Sequence, residues 1–458
     1  MTITFIIAMA ILIFKNEDQI KQEYKAVKKR TGQRAIFRSI DDKQEGNVIR
    51  IEKLFNYNPP RYNEEVDKLF INRESELEDD LNFFHDDIDF DQIQVIHGAS
   101  RVGKSHYMKK LMVELEKQER PFWIEYINAN SLGQARTVLN EIFQLLKKAI
   151  STLSQENNYE DRKDVRLVEY VMIDIDPLIS GEEKNKELIN VKSLLSNDKI
   201  DLSILPEFLN KIITDNQQTN NGQWTLSKLS RDNIIDFIES QAQLLVSISN
   251  GQFRSILLAV DDVDLLHKRD DTQKEVDLLL KFLNKLTSSQ TINIVITSRK
   301  EFGTDRTKEM YFLRKITNFE NDHIKEVYAR HIELYYNGNN IFSDNALDYL
   351  AECSQGYLGI FLYHCKDIFR EFRSQKEITK KDFDKYIEIK IKQYLSAMNT
   401  KSFFKQIEEA AQVGSIAVKL DKKVQNTELI YNVVLEPTTA GEYEINKLYY
   451  DYYNHEKK

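Results

Sequence analysis

The stretch from Ile93 to Met112, "IQVIHGASRVGKSHYMKKLM", constrains this chain more than any other. An apolar run breaks into Gly98-Ala99-Ser100-Arg101-Val102-Gly103-Lys104-Ser105, and a basic amphipathic segment follows. The chain has only 14 glycines in 458 residues, so two of them framing a loop directly after a buried strand call for a reason. Glycine lets the backbone curl until successive N–H groups face one anion, and a helix starting near Lys104 adds its positive end to the same field. A lysine at this offset reaches the β and γ phosphates of a nucleotide, and the serine after it offers a hydroxyl to Mg²⁺. An ordinary strand-to-helix turn needs neither residue. Gly98, Ala99, Ser100, Arg101, Val102, Gly103, Lys104, Ser105 and His106 are therefore the expected nucleotide-binding run, with ATP and Mg²⁺ as the expected ligands.

Such a loop requires a second element, an apolar strand that ends in acids. Ile256 to Val260 followed by Asp261-Asp262-Val263-Asp264 supplies it. Asp261, the first acid after the strand, is the expected magnesium partner beside Ser105, and Asp262 is placed to orient or deprotonate the attacking water. Asp264 reads equally well as a cap of the next helix. A further strand, "INIVITSRK", ends in Thr297-Ser298-Arg299. If it neighbours the loop strand, Arg299 can touch the γ phosphate; its other reading is a solvated loop arginine.

These motifs sit in a dense α/β region. "IQVIHG", "PFWIEYINA", "SILLAVDD", "INIVITSR" and "MYFLRKI" are continuous apolar runs separated by helix-period segments, which predicts a parallel sheet covered on both faces. The gap between the second and third strands, about residues 132–249, is too long for one crossover and predicts a helical insert, with "DNQQTNNGQW" as an exposed loop. Residues 15–68 read as a helix and linker, residues 317–399 as helical, and residues 400–458 as a mixed segment with two strands around Pro437 to Gly441 and a short helix. Cys353 and Cys365 form no pair or cluster motif and read as small buried apolar residues in a reducing compartment, which fits a cytoplasmic protein.

With a formal net charge of -9, no global positive field draws the molecule to nucleic acid or anionic lipid. Residues 1–14 contain the apolar run Thr2 to Phe14, "TITFIIAMAILIF". As a helix it spans about 20 Å against a hydrocarbon core of about 30 Å. It leaves open a membrane anchor, a buried or partner-docking element, or an artefact of the chosen start; it lacks the features of a secretory signal.

"HGASRVGKS", "LLAVDDVDLL" and "IVITSR", in that order and preceded by "LFINRESELEDDL", resemble the P-loop ATPases of the AAA+ and STAND groups, the latter being signal-transducing ATPases with numerous domains. Within that superfamily, Phe70, Arg73, Glu74, Glu76 and Leu77 with the double Asp and the "TSR" ending are similar to prokaryotic STAND ATPases and their origin-recognition-like relatives. The likeness covers roughly Leu69 to Phe369. It implies an α/β P-loop core over residues 69–316, a helical lid over 317–399 and a winged-helix-like domain over 400–458. It also makes Ile71, Asn72 and Arg73 candidate neighbours of the adenine, Arg73 being otherwise a helix-start charge. The lid of such relatives carries a nucleotide-sensing "GxPxxL" or "GxxR", whereas the corresponding "SQGYLGIFLYHC" has neither the proline nor the arginine. An arginine finger, if present, would be Arg306, whose other reading is an exposed loop arginine.

Two functional readings follow. In the first, ATP binding and slow hydrolysis operate a regulatory switch that acts on a protein partner or on further copies of the chain. In the second, an AAA+ ATPase grips duplex DNA through the C-terminal winged helix. From Lys401 onward there is no arginine, and the wing-like "VVLEPTTAGEYE" is acidic, which speaks against the second. A membrane-tethered ATPase is a third class and rests wholly on Thr2 to Phe14.

Overall fold

The computed structural model describes residues 53–55, 64–85, 92–119, 121–156, 231–266, 272–289, 291–299, 301–302, 311–336, 339–396, 401–420, 434–439 and 442–455. The five expected apolar runs form β1 (Ile93–His97), β2 (Trp123–Asn128), β3 (Ile256–Asp261), β4 (Ile292–Ser298) and β5 (Tyr311–Lys315). Every pairing is parallel and the order is β2-β3-β4-β1-β5. All residues of β1, β3 and β4 are buried, as continuous apolar strands covered on both faces require. The α/β class and the parallel sheet expected from the sequence are what forms. Strand β4 lies between β1 and β3, which brings the ends of the glycine loop, the acids and "TSR" to one edge.

Helices α1 (Glu64–Leu69) and α2 (Glu74–His85) precede β1; α3 (Lys104–Glu116) follows it, and the single turn α4 (Ala129–Leu132) and α5 (Ala135–Glu156) follow β2. Next come α6 (Arg231–Ile248) and α7 (Thr272–Thr287). One face of the sheet packs Ile96, Leu257, Ala259 and Val295 against Phe84, Met108, Leu111 and Met112 of α2 and α3. The other packs Val95, Leu258 and Ile294 against Ile142, Leu146 and Ile150 of α5, Ala242 and Leu245 of α6, and Leu279 and Leu283 of α7. The two ends of the expected insert are thus sheet-covering helices of the main core, because their apolar residues recur at three- and four-residue spacing on one face. Residues 157–230, between them, lie outside the described residues.

A charged network sits inside the first of these faces. Arg314 on β5 donates from Nε to Oδ1 of Asp80 at 2.7 Å, and the Tyr107 hydroxyl donates to Oδ2 at 2.6 Å. Asp80 is completely buried, and burial raises its carboxyl to about 6 against the opposing pull of Tyr107 and Arg314. It is thereby still ionised at neutral pH. Because the folded value lies above the unfolded one, Asp80 contributes stability at low pH that is lost as pH rises through 6. Arg314→Met should cost about 3 kcal/mol of unfolding free energy at pH 7, since it strands a buried charge. Urea melts should show the deficit shrinking as pH falls toward 6, because without Arg314 the buried carboxyl takes up its proton at a higher pH than in the wild type.

Beyond β5 the chain is helical: α8 (Asn321–Tyr335), α9 (Asp344–Ser354), α10 (Leu358–Glu371) and α11 (Lys381–Ser396). Then come α12 (Lys401–Gln412), a three-stranded antiparallel sheet of β6 (Ala417–Lys419), β7 (Val434–Thr439) and β8 (Glu442–Ile445) in the order β6-β8-β7, and α13 (Lys447–His455). The two strands and short helix expected around Pro437 are therefore present. The second helix that a winged helix needs before its hairpin would fall in residues 421–433, outside the described residues. Phe361 and Cys365 of α10, Tyr386 of α11, Phe403 of α12, Ile445 and Tyr449 share one apolar core, which Leu54, Phe55, Leu69 and Ile71 join from before the glycine loop. Both cysteines are buried and unpaired, in keeping with small apolar roles. Among the described residues no helix is long and apolar enough to cross a membrane; Thr2 to Phe14 and Arg306 lie outside them.

Candidate nucleotide-binding site

The loop is shaped by a few backbone choices. Gly98 leaves β1 with φ +156°, its N–H donating to Ser298 O at 3.2 Å. A Cβ there would stand 2.2 Å from the Ile316 carbonyl oxygen, so no other residue fits. Arg101 and Gly103 both take positive φ, at 63° and 101°, and Gly103 opens α3 without a side-chain cap. The first N–H groups of α3 are therefore available to an anion. Lys104 folds over the loop, donating from Nζ to Gly98 O at 3.0 Å and Ala99 O at 2.7 Å. Burial lowers its pKa, while the charges of Asp262, Asp264 and Asp261 act to raise it.

The acids are held by hydroxyl groups. Asp261 Oδ1 accepts from Ser105 Oγ at 3.0 Å and from the Thr297 hydroxyl, and Oδ2 accepts from the Tyr126 hydroxyl at 2.7 Å. Thr297 Oγ1 in turn accepts the backbone N–H of Asp262 at 2.8 Å. That bond supports Asp262 at φ 57°, a left-handed conformation that a short polar side chain tolerates. Burial, and then the neighbouring charge of Asp261, push the Asp262 carboxyl up to about 6, with Lys104 opposing. Arg299 donates its backbone N–H to Asp264 Oδ1 at 3.1 Å and its Nε to Oδ2 at 2.6 Å. Asp264 thus orients the strand-tip arginine from the turn Val263–Leu265, a pairing that neither residue's sequence reading contained.

Four other sequence candidates lie around the loop. Arg73 is buried, its Nη2 donating to Thr317 O at 2.7 Å and Val102 O at 3.3 Å, with the guanidinium 4.3 Å from the Phe319 ring centre. Burial lowers its pKa to about 10. It ties the loop to the chain after β5. The His106 ring turns away from the loop toward α1, Nε2 lying 3.3 Å from Val66 O, and burial lowers it to about 4. Its backbone N–H is what remains for a phosphate. Ile71 packs in the helical core, and the Asn72 amide lies 3.1 Å from the His323 ring nitrogen.

The start of α10 docks directly on the loop. The Gly359 N–H donates to Arg101 O at 2.9 Å, and a Cβ on Gly359 would sit 2.8 Å from Arg101 Cβ. Gly356, at φ 83°, carries the turn beforehand and accepts the Phe319 N–H at 3.0 Å. The stretch that lacks both proline and arginine therefore meets the loop through glycine backbone; the two glycines of "QGYLG" were the available signal. Gly359→Val should prise α10 from the loop at an overpacking cost of about 1–3 kcal/mol. Hydrogen exchange should then be about tenfold faster or more at residues 98–103 and 356–360.

Chemically, Ser105 Oγ and Asp261 form an all-oxygen pair beside the glycine loop. That donor set fits Mg²⁺ shared with phosphate oxygens and water, and the glycine-lined curl fits a polyphosphate. No protein-family model matches the sequence, and no curated protein matches it. Among solved structures, the Aeropyrum pernix Orc1 protein in complex with DNA is similar over 90% of this chain and 98% of that one, at 10% identity and a TM-score of 0.41. Domain III of the Thermotoga maritima replication initiation protein DnaA is similar over 70% and 94%, at 14% identity and a TM-score of 0.35. A Pyrococcus horikoshii signal transduction ATPase with numerous domains and a tetratricopeptide repeat sensor is similar over 88% of this chain and 44% of that one, at 11% identity and a TM-score of 0.33.

Proposed function

We propose that the chain is an ATP-binding and ATP-hydrolysing switch of the STAND type, which couples nucleotide state to a protein partner or to further copies of itself. The observation that carries this reading is that one loop is bonded on both sides. Ser105 links it to the acid pair, and the Arg101 carbonyl links it to α10 of the helical array. A change at the phosphates is thereby felt by the lid without an intervening arginine.

In this reading Gly98 to His106 supply backbone N–H groups to the phosphates, and Lys104 leaves the Gly98 and Ala99 carbonyls to reach the β and γ groups. Ser105 and Asp261 would hold Mg²⁺, which when bound neutralises charge on the phosphate oxygens. Asp262 orients the attacking water and takes its proton as the water adds to the γ phosphorus and the bond to the β–γ bridging oxygen breaks. Arg299, steadied by Asp264, contacts the γ phosphate. Only a difference in contacts between the ATP and ADP states can drive a switch, and Lys104, Arg299 and the docked α10 are where that difference arises.

The test is steady-state ATP hydrolysis by the purified chain with and without duplex DNA, Asp262→Asn serving as the blank. Slow turnover indifferent to DNA is the expected result. Strong stimulation by DNA would replace this reading with that of a DNA-associated ATPase.

A further inference from the structure

Asp261 is gripped from three sides, and one of its partners comes from outside the glycine loop and the strands beside it. Tyr126 lies on β2, the edge strand next to β3, paired in register with Ala259. Side chains two apart share a face of the sheet, so Ala259, Asp261 and Tyr126 all point toward α3. The phenol reaches along that face and donates to Asp261 Oδ2 at 2.7 Å, while Oδ1 serves Ser105 and Thr297. The ring is itself fixed: Lys109, one turn beyond Ser105 on α3, sets its Nζ 5.0 Å from the ring centre.

We propose that Tyr126 is a positioning residue for Asp261, and that its hydroxyl sets the affinity of the site for Mg²⁺. The inference rests on the nucleotide reading of this site and extends it to a residue on the far strand. A carboxylate meets a hard cation through one oxygen in a narrow range of directions, and rotation about χ2 moves both oxygens together. With Oδ2 pinned by Tyr126, Oδ1 stays at Ser105, where a cation shared with the phosphates would be bound. Without the hydroxyl, Ser105 and Thr297 still hold Oδ1, but the carboxylate swings about it to satisfy Oδ2 elsewhere and Oδ1 no longer presents its lone pair in that direction. Losses of outer-shell partners of this kind reduce metal affinity by roughly 10- to 100-fold.

Tyr126→Phe keeps the ring and its contact with Lys109 and deletes one oxygen atom. The experiment follows the fluorescence of a ribose-labelled ATP analogue on the full chain, first in EDTA and then in a Mg²⁺ titration at fixed nucleotide. The expected result is unchanged nucleotide affinity in EDTA and a Mg²⁺ midpoint at least about tenfold higher than wild type. A Mg²⁺ midpoint equal to that of wild type would reduce Tyr126 to packing and overturn the proposal. Equal losses with and without Mg²⁺ would also overturn it, by placing the effect on the loop and not on the metal. If the wild type itself shows no Mg²⁺-dependent nucleotide binding, the nucleotide reading fails in its own arm and the role of Tyr126 falls with it.

Discussion

Lys104→Ala should abolish measurable ATP binding. Lys104 is the buried cation of the loop, and its ammonium spans the Gly98 and Ala99 carbonyls at 3.0 and 2.7 Å. Burial and desolvation make that charge costly unless an anion arrives, which is why its pKa is lowered. Two charge-assisted hydrogen bonds to phosphate contribute about 3–6 kcal/mol together, so their loss weakens binding by roughly 10²- to 10⁴-fold. Isothermal titration with ATP and Mg²⁺ measures this directly. A variant that binds ATP as wild type does would remove the glycine loop from the nucleotide site.

Asp262→Asn should leave ATP affinity within about twofold of wild type and lower single-turnover hydrolysis by roughly 10²- to 10⁴-fold, the usual reach of a general base. The substitution is clean for a structural reason. Asp262 sits at φ 57°, a conformation that asparagine adopts as readily as aspartate, and the bond to Thr297 uses the backbone N–H. What changes is the charge. The sign of the stability effect also follows: the folded-state value near 6 lies above the unfolded one, so Asp262 loses stability as pH rises through 6. Asparagine avoids that loss, and the variant should be more stable than wild type at pH 8 by on the order of 1 kcal/mol. Hydrolysis at the wild-type rate would take Asp262 out of the mechanism. Slower turnover together with a higher melting temperature is the pattern of a group kept for chemistry at the expense of stability.

The strands and the glycine loop were legible because both are local: an apolar run buried on two faces reads the same in sequence and in space, and Gly98, Gly103, Lys104 and Ser105 lie within eight positions. The hydroxyl cradle of Asp261 was not, because Tyr126 lies 135 positions from Asp261 and nothing in "WIEYIN" marks its hydroxyl. The two carbonyls that Arg73 holds could not be read from its motif, because one lies in the loop and the other after β5, and a guanidinium this buried takes what acceptors it finds. Asp264 and Arg299 were each assigned alone; their pairing depends on the turn after β3, which only the folded chain displays. The helices flanking the long gap carried the right periodicity, but spacing alone does not say whether a helix covers the main sheet or a separate unit.

The register of β1 also governs when the site comes into being. Gln94 of β1 pairs with Val295 on one side and Phe312 on the other, so both neighbours of the loop strand are made about two hundred residues later. At about 5–20 residues per second of synthesis, β1 waits roughly 10–40 s for a partner. Throughout that interval "IQVIH" presents two unpaired backbone edges and two uncovered apolar faces, the condition that recruits chaperones or drives misassembly. Nascent chains stalled before Ile292 should therefore be captured by chaperones and fail to hold nucleotide, and competence should arrive in one late step as β4 and β5 clear the ribosome.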